Sequence, residues 1–212
     1  LHRSVFDSFY TNLRRIPVGD TQIRYIHRIL HKALQDAVDD RILTFNPCEG
    51  AKAPKKQRIH RVYCPLNEEQ SILLMNQAKG TPLEVLIHLA LKTGMRQGEL
   101  FALKWEDVLW ETQQIHIQRN LQRVLREGKQ VRTFSTPKTA TSDRKIMVGV
   151  KTLDALRAQQ KEVQLKKALA KNRWQENDLV FPSSTGTPLN QSNVLKQYGE
   201  IQKAAGLKHI RF

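Results

Sequence analysis

The chain has 212 residues, enough for one large domain or two modest ones. Its 35 Lys and Arg against 20 Asp and Glu give a formal net charge of +15, which argues for a polyanionic partner, nucleic acid before a membrane surface. No apolar run approaches the roughly 20 residues of a spanning helix, and no signal peptide is visible. The two cysteines, Cys48 and Cys64, lack zinc spacing and read as reduced thiols of a cytoplasmic protein.

Residues 1–47 read as a helical module. Thr21 to Asp39 is the clearest helix, with Ile23, Ile26, Ile29, Leu30, Ala33, Leu34, Ala37 and Val38 as the expected buried stripe. Its other side carries Arg24, Arg28, His31 and Gln35 at i, i+4, i+7 and i+11, a row that can meet a DNA groove. The plainer account is the solvated face of a two-helix hairpin. Asn46-Pro47 closes the module, because the residue before proline is pushed out of the helical region.

Residues 48–65 form the expected linker, with Lys52, Lys55, Lys56, Arg58 and Arg61 set against the single acid Glu49. A basic strap without apolar period builds no core. It can track a phosphate backbone, where each neutralised phosphate releases counterion, or it can simply be a soluble linker.

A second domain spans 66–212. Asn67 and Gln70 make a capping box, with Ile72, Leu73 and Met75 following. The next helix reads from Thr81 as N-cap and Pro82 at its first position, with Leu83, Leu86, Ile87, Ala90 and Leu91 on one face. Gly94 suits the left-handed position that ends it, and Arg96 is thereby placed on a rigid corner before a second, short helix. There a fork of N–H donors can meet a phosphate, although on spacing alone a surface ion pair with Glu99 is the plainer account. Ile115 and Ile117 then alternate with polar neighbours, Glu127-Gly128 marks a turn, and Ile146, Met147, Val148 and Val150 form another extended run. Thr152 to about Lys171 is helical, Leu179-Val-Phe181 is a short strand stopped by Pro182, and Asn190 to Ala205 is a helix with Val194, Leu195, Tyr198 and Ile201 inward, ended by Gly206. The class is mainly α with a small antiparallel β-sheet, α+β overall.

Thr93-Gly-Met-Arg-Gln-Gly-Glu-Leu-Phe-Ala-Leu-Lys-Trp-Glu-Asp-Val108 resembles the first arginine box of the tyrosine recombinases, the phage integrase family. The resemblance extends to Thr136-Pro-Lys-Thr139, similar to that family's lysine turn, to Leu179-Val-Phe-Pro182 with Gly186-Thr-Pro188, and to Thr21–Asp39, similar to its core-binding module. It implies that a tyrosine hydroxyl attacks a DNA phosphodiester and becomes joined to the 3′ phosphate, with the 5′ hydroxyl leaving. Bond energy is kept in the phosphotyrosine, so no cofactor and no metal is implied. Arg96 matches the first phosphate-binding arginine, Glu99 the acidic residue that orients it, and Lys138 the general acid for the leaving 5′ oxygen. Arg119, Arg123, Arg126, Lys129, Arg132, Arg144 and Lys145 surround the same sheet as backbone contacts, with Arg119 and Arg144 foremost. The implied partner is double-stranded DNA, no membrane is implied, and the complete parent would work as a tetramer in the bacterial cytoplasm, on the nucleoid when bound.

The family's His-x-x-Arg box, its later His or Trp and its nucleophilic tyrosine would all follow Phe212. None of Tyr10, Tyr25, Tyr63 and Tyr198 stands where the family places its nucleophile; Tyr25 and Tyr198 read as core or flank residues of their helices. The catalytic domain is therefore expected to be truncated and inactive alone, with part of an apolar face exposed and a tendency to associate. The alternative reading is a non-catalytic DNA-binding remnant of an integrase.

Overall fold

The computed structural model describes residues 2–54, 65–135 and 143–212. The chain divides into two compact units, Leu1–Tyr63 and Cys64–Phe212.

In the first unit α1 (Arg3–Leu13) and α2 (Asp20–Asp39) pack through Phe6, Tyr10 and Ile23. Gly19 precedes α2 in extended conformation, and its N–H donates to Oε1 of Gln22, satisfying one of the orphan donors at the helix start. Cys48 is fully buried in the same core, and Ala51 and Ala53 pack against it. The core thus reaches past the expected boundary at residue 47. The Tyr10 hydroxyl lies 2.9 Å from Nδ1 of His27 and 3.4 Å from Sγ of Cys48, so these polar groups enter the core with partners. Ile29 and Ala33 were expected in the buried stripe of α2 but face solvent. The core strip is narrow, Ile23, Leu30 and Leu34, and Ile29 lies about 120° around the helix from Ile23 at 100° per residue. Tyr25, expected at the core or its flank, is also exposed.

The second unit begins with α3 (Glu68–Ala78), where Oδ1 of Asn67 accepts from the Gln70 N–H and Oε1 of Gln70 accepts from the Asn67 N–H, the capping box read in the sequence. Helix α4 (Glu84–Thr93) starts later than expected, with Leu83 at the N-cap. Thr81 instead closes the preceding turn, its hydroxyl donating to the Ala78 carbonyl and accepting from the Leu83 N–H. Leu86, Ile87 and Leu89 are buried, whereas Leu91, expected inward, is exposed. Gly94 ends α4 at φ +62°, as its sequence position foretold.

Helix α5 (Gln97–Ala102) leads through a 3-10 turn at Trp105–Asp107 to β1 (Val108–Leu109). This pairs antiparallel with β2 (Gln114–Ile117), and β2 with β5 (Arg144–Met147), in the order β1-β2-β5. Ile115 and Ile117 are buried as their alternation required, and Ile117 stands opposite Arg144. A separate ribbon of β3 (Asn120–Arg126) and β4 (Lys129–Ser135) turns at Glu127-Gly128, both at positive φ. Val150, read as strand, instead opens α6 (Val150–Ala170).

Leu179, Val180 and Phe181 are buried, and the Val180 N–H donates to the Leu103 carbonyl. In α7 (Gln191–Ala204), capped by Oδ1 of Asn190, Val194, Tyr198 and Ile201 point inward at i, i+4 and i+7. Leu195, expected beside them, falls outside that row and is exposed. The chain after α7 folds back on it: Nε2 of Gln202 donates to the Ile210 carbonyl, and the Phe212 ring meets Tyr198 edge-on, 4.9 Å between centroids. Each fully buried Leu, Ile or Phe of this core contributes roughly 1.5–3 kcal/mol. Ile72, Leu73, Leu165 and Leu169 remain exposed. Among the described residues no helix is long and apolar enough to cross a membrane.

Candidate functional site

The left-handed turn at Gly94 puts Arg96 at the N-cap of α5 in extended conformation. Three residues on, Glu99 reaches back. Its Oε2 accepts the Arg96 backbone N–H at 2.8 Å, and its Oε1 accepts Nη1 of the Arg96 guanidinium at 2.9 Å. The capping interaction that starts the helix therefore also holds the arginine side chain.

A second guanidinium completes the arrangement. Arg144, first residue of β5, donates from Nη1 to Oε1 of Glu99 at 3.1 Å and from Nη2 to Oε2 at 2.9 Å, a two-pronged fork. Glu99 is buried at 6% exposure, the Arg144 side chain is 30% exposed, and the Arg96 side chain is 72% exposed. Burial alone would raise the pKa of Glu99, but hydrogen bonds from Arg144 and from the backbone and side chain of Arg96 outweigh it and hold the carboxyl below its ordinary value. Glu99 is thus ionised at neutral pH. Two guanidinium groups against one carboxylate leave a net positive corner, with most of Arg96 facing solvent.

A second buried carboxylate gathers donors of its own. Asp107, 2% exposed, accepts from the Lys104 backbone N–H at 2.9 Å and from Gln118 at 2.7 Å. It also takes Nη1 of Arg119 at 2.6 and 2.5 Å, while Nη2 of Arg119 binds Glu106. Arg123 and Arg132 stand directly opposite each other on the β3–β4 ribbon. Each is drawn to the loop before α7, Arg123 to Oδ1 of Asn190 and Arg132 to the Pro188 carbonyl at 2.8 Å. Gln191 of α7 donates to Oε1 of Gln97 at 2.6 Å, beside Arg96 in sequence.

The structure brings Arg96, Glu99 and Arg144 together, and it sets Arg119 apart on Asp107. On α2, Nη2 of Arg24 donates to the Thr21 hydroxyl, and the Arg28 guanidinium lies 5.5 Å over the exposed Tyr25 ring. His31 and Gln35 are half-buried. The His31 ring is 5.9 Å from that of His27, and Gln35 donates to Asp39 and accepts from Asn46. Lys52 is exposed. Lys55, Lys56, Arg58, Arg61 and Lys138 lie outside the described residues. Sequence reading did not identify Asp107 or Gln118 as site neighbours, nor the pairing of Arg144 with Glu99. Only the first carried a local signal, the Lys104-to-Asp107 spacing that resembles a capping box.

The phage integrase family matches residues 65–212. A tyrosine recombinase XerC-like protein of Caldanaerobacter subterraneus subsp. tengcongensis is 29% identical over 96% of this chain and 55% of its own length. An integrase of Streptomyces ambofaciens is 26% identical over 86% of this chain and 47% of its own. The chain thus spans about half the length of these curated relatives. The fold is shared with the Tn1549 transposon integrase solved with transposon right end DNA, at TM-score 0.73, 19% identity, and 100% of this chain against 66% of that one. It is also shared with a lambda integrase dimer bound to a COC′ core site, at TM-score 0.59, 15% identity, and 99% against 67%. With an arginine box on a rigid corner and this match over its second unit, the chain belongs to the phage integrase family, the tyrosine recombinases.

Proposed function

We propose that these residues are the core-binding module and the first part of the catalytic domain of a site-specific DNA recombinase, an integrase of a phage or other mobile element. One observation carries the reading: Arg96 sits at a fixed corner, tied to a buried, ionised carboxylate, with most of its guanidinium in solvent. A phosphodiester is the ligand such a fork fits.

In the reaction this supports, a tyrosine oxygen bonds to phosphorus as the bond to the 5′ oxygen breaks. Arg96 holds the charge that builds on the non-bridging oxygens. Lys138 gives its proton to the departing 5′ oxygen. A 5′ hydroxyl of the partner strand then displaces the tyrosine, so the step needs neither a nucleotide cofactor nor a metal. In this reading none of Tyr10, Tyr25, Tyr63 and Tyr198 is the nucleophile. Tyr10 and Tyr198 are buried, and burial pushes both hydroxyl pKa values up.

The partner is double-stranded DNA, met by Arg24, Arg28, His31 and Gln35 on α2 and by Lys52, Lys55, Lys56, Arg58 and Arg61 after it. Arg119 and Arg144 are the least available of the proposed contacts, since both forks already meet carboxylates. The complete protein works as a homotetramer on two DNA sites, in the bacterial cytoplasm and on the nucleoid.

The test is a nicked duplex offered to the full-length gene product. A covalent protein–DNA adduct on a denaturing gel is expected, and Arg96→Ala should lower its rate by about 10²–10³ while duplex binding persists. Lys138→Ala should slow cleavage and recover when a 5′ sulfur replaces the leaving oxygen. Binding without any adduct would favour a non-catalytic remnant.

A further inference from the structure

We propose that Arg144 is a positioning residue, which saturates the Glu99 carboxylate so that Arg96 keeps its remaining donors for a phosphate, and is not itself a DNA contact. The proposal rests on the reading of Arg96 as the phosphate-binding arginine.

An ionised carboxylate offers about four acceptor sites. Glu99 fills them with four donors: the Arg96 N–H, Nη1 of Arg96, and Nη1 and Nη2 of Arg144. Because Arg144 takes both oxygens, the Arg96 side chain is left with one bond to Glu99 and stays 72% exposed. Without Arg144 a buried carboxylate would be short of two donors. The nearest replacement is Arg96 itself, swung inward to chelate Glu99 and withdrawn from solvent.

Arg144 is well placed to act as a strut. It opens β5, and β2 fixes that strand through the pairing of Ile117 with Arg144. Its fork spans 45 residues of sequence to α5, and it stands six positions after Lys138. One ion pair therefore ties the corner that carries Arg96 to the strand that follows the lysine segment.

Three variants of the present chain test this: Arg144→Gln, Arg144→Lys and Arg96→Ala. The first readout is carbon-13 NMR titration of the Glu99 carboxyl, identified by the signal that Glu99→Gln removes. Arg144→Gln should raise the Glu99 midpoint by about one pH unit, and Arg144→Lys should raise it less. The second readout is the salt dependence of duplex binding. Arg144→Gln should reduce the slope of log affinity against log salt by about one, as Arg96→Ala does, and Arg144→Gln added to Arg96→Ala should reduce it no further, whereas a direct phosphate contact of Arg144 would take off a second unit. Arg144→Lys serves as the decisive variant if Arg144→Gln does not fold, since it keeps the charge and loses the fork. An unmoved Glu99 midpoint overturns the proposal, as does a further fall of about one in the slope when Arg144→Gln is added to Arg96→Ala. A chain that binds no duplex refutes the DNA reading, and the titration alone then decides whether Arg144 governs Glu99.

Discussion

Gly98 of α5 lies against Asn120 of β3 so closely that a Cβ on Gly98 would stand 2.0 Å from Oδ1 of Asn120, and 3.0 Å from the carbonyl oxygen of Leu121. The Asn120 side chain can swing away. The Leu121 carbonyl belongs to the ribbon backbone and cannot. Gly98→Ala should therefore destabilise the second unit by about 1 kcal/mol, crowding of about 2 kcal/mol offset by the roughly 1 kcal/mol that alanine gains over glycine in a helix. Thermal or urea unfolding checks this, and a variant more stable than the parent would show that α5 is free to lift from β3.

Glu99→Gln removes the charge that two guanidinium groups share while leaving an amide that can still cap α5. A cost of about 2–3 kcal/mol is expected, toward the lower end for a broken ion pair because Arg96 is solvated. The parent should also depend on acid. The folded pKa of Glu99 lies below its unfolded value, so the group stabilises the fold above about pH 4.3, and that contribution is lost as pH falls through the folded value. Urea midpoints measured from pH 6 to pH 3 should fall less steeply in Glu99→Gln than in the parent.

His88 of α4 gives a second acid response in a different window. Its Nε2 is 3.1 Å from the Thr152 hydroxyl on α6, and burial, followed by the charge of Lys92, lowers its pKa. A histidine whose folded pKa lies below about 6.5 stabilises the fold above that pH, and the stabilisation is lost as pH drops through the folded value. The Tm of the parent should fall between pH 7 and pH 5. A His88→Gln variant that still meets Thr152 should show a flatter profile over the same interval, and identical profiles would place the proton elsewhere.

On α2 the four residues of the proposed DNA row should separate by charge. Arg24→Ala and Arg28→Ala should each reduce the salt slope of duplex binding by about one if each neutralises a phosphate. Gln35→Ala should leave the slope unchanged, since Gln35 is neutral and already bonded to Asp39 and Asn46. Fluorescence anisotropy across a salt series measures all three.

What could be read in the sequence was what short-range chemistry dictates. The Asn67–Gln70 box, the Gly94 stop, the Glu127-Gly128 turn and the alternation of Ile115 with Ile117 each depend on a handful of adjacent residues. The corner that holds Arg96 was legible because a helix stop and a helix start bracket it, while its phosphate role came from the family resemblance alone. Arg144 was not, since its partner is 45 residues away and nothing near it distinguishes a strut from a surface cation. Periodicity also overstated burial. Ile29, Leu91 and Leu195 are apolar and near the right phase, but each helix is covered on a narrower strip than its apolar residues could fill. Cys48 was assigned to a linker because Asn46-Pro47 reads as closing the module, yet a fully buried thiol beside Tyr10 shows that the first core extends past the proline.

Glu99 starts a helix with one oxygen and gathers two arginines with both, and this narrows the substitutions open to the position. Glutamine keeps the cap and loses the charge. Aspartate keeps the charge on a side chain one methylene shorter, which cannot reach the same donors without moving α5. Neither of these two nearest replacements retains both duties without a shift of α5. Changes in how this corner meets DNA must come from the residues around it.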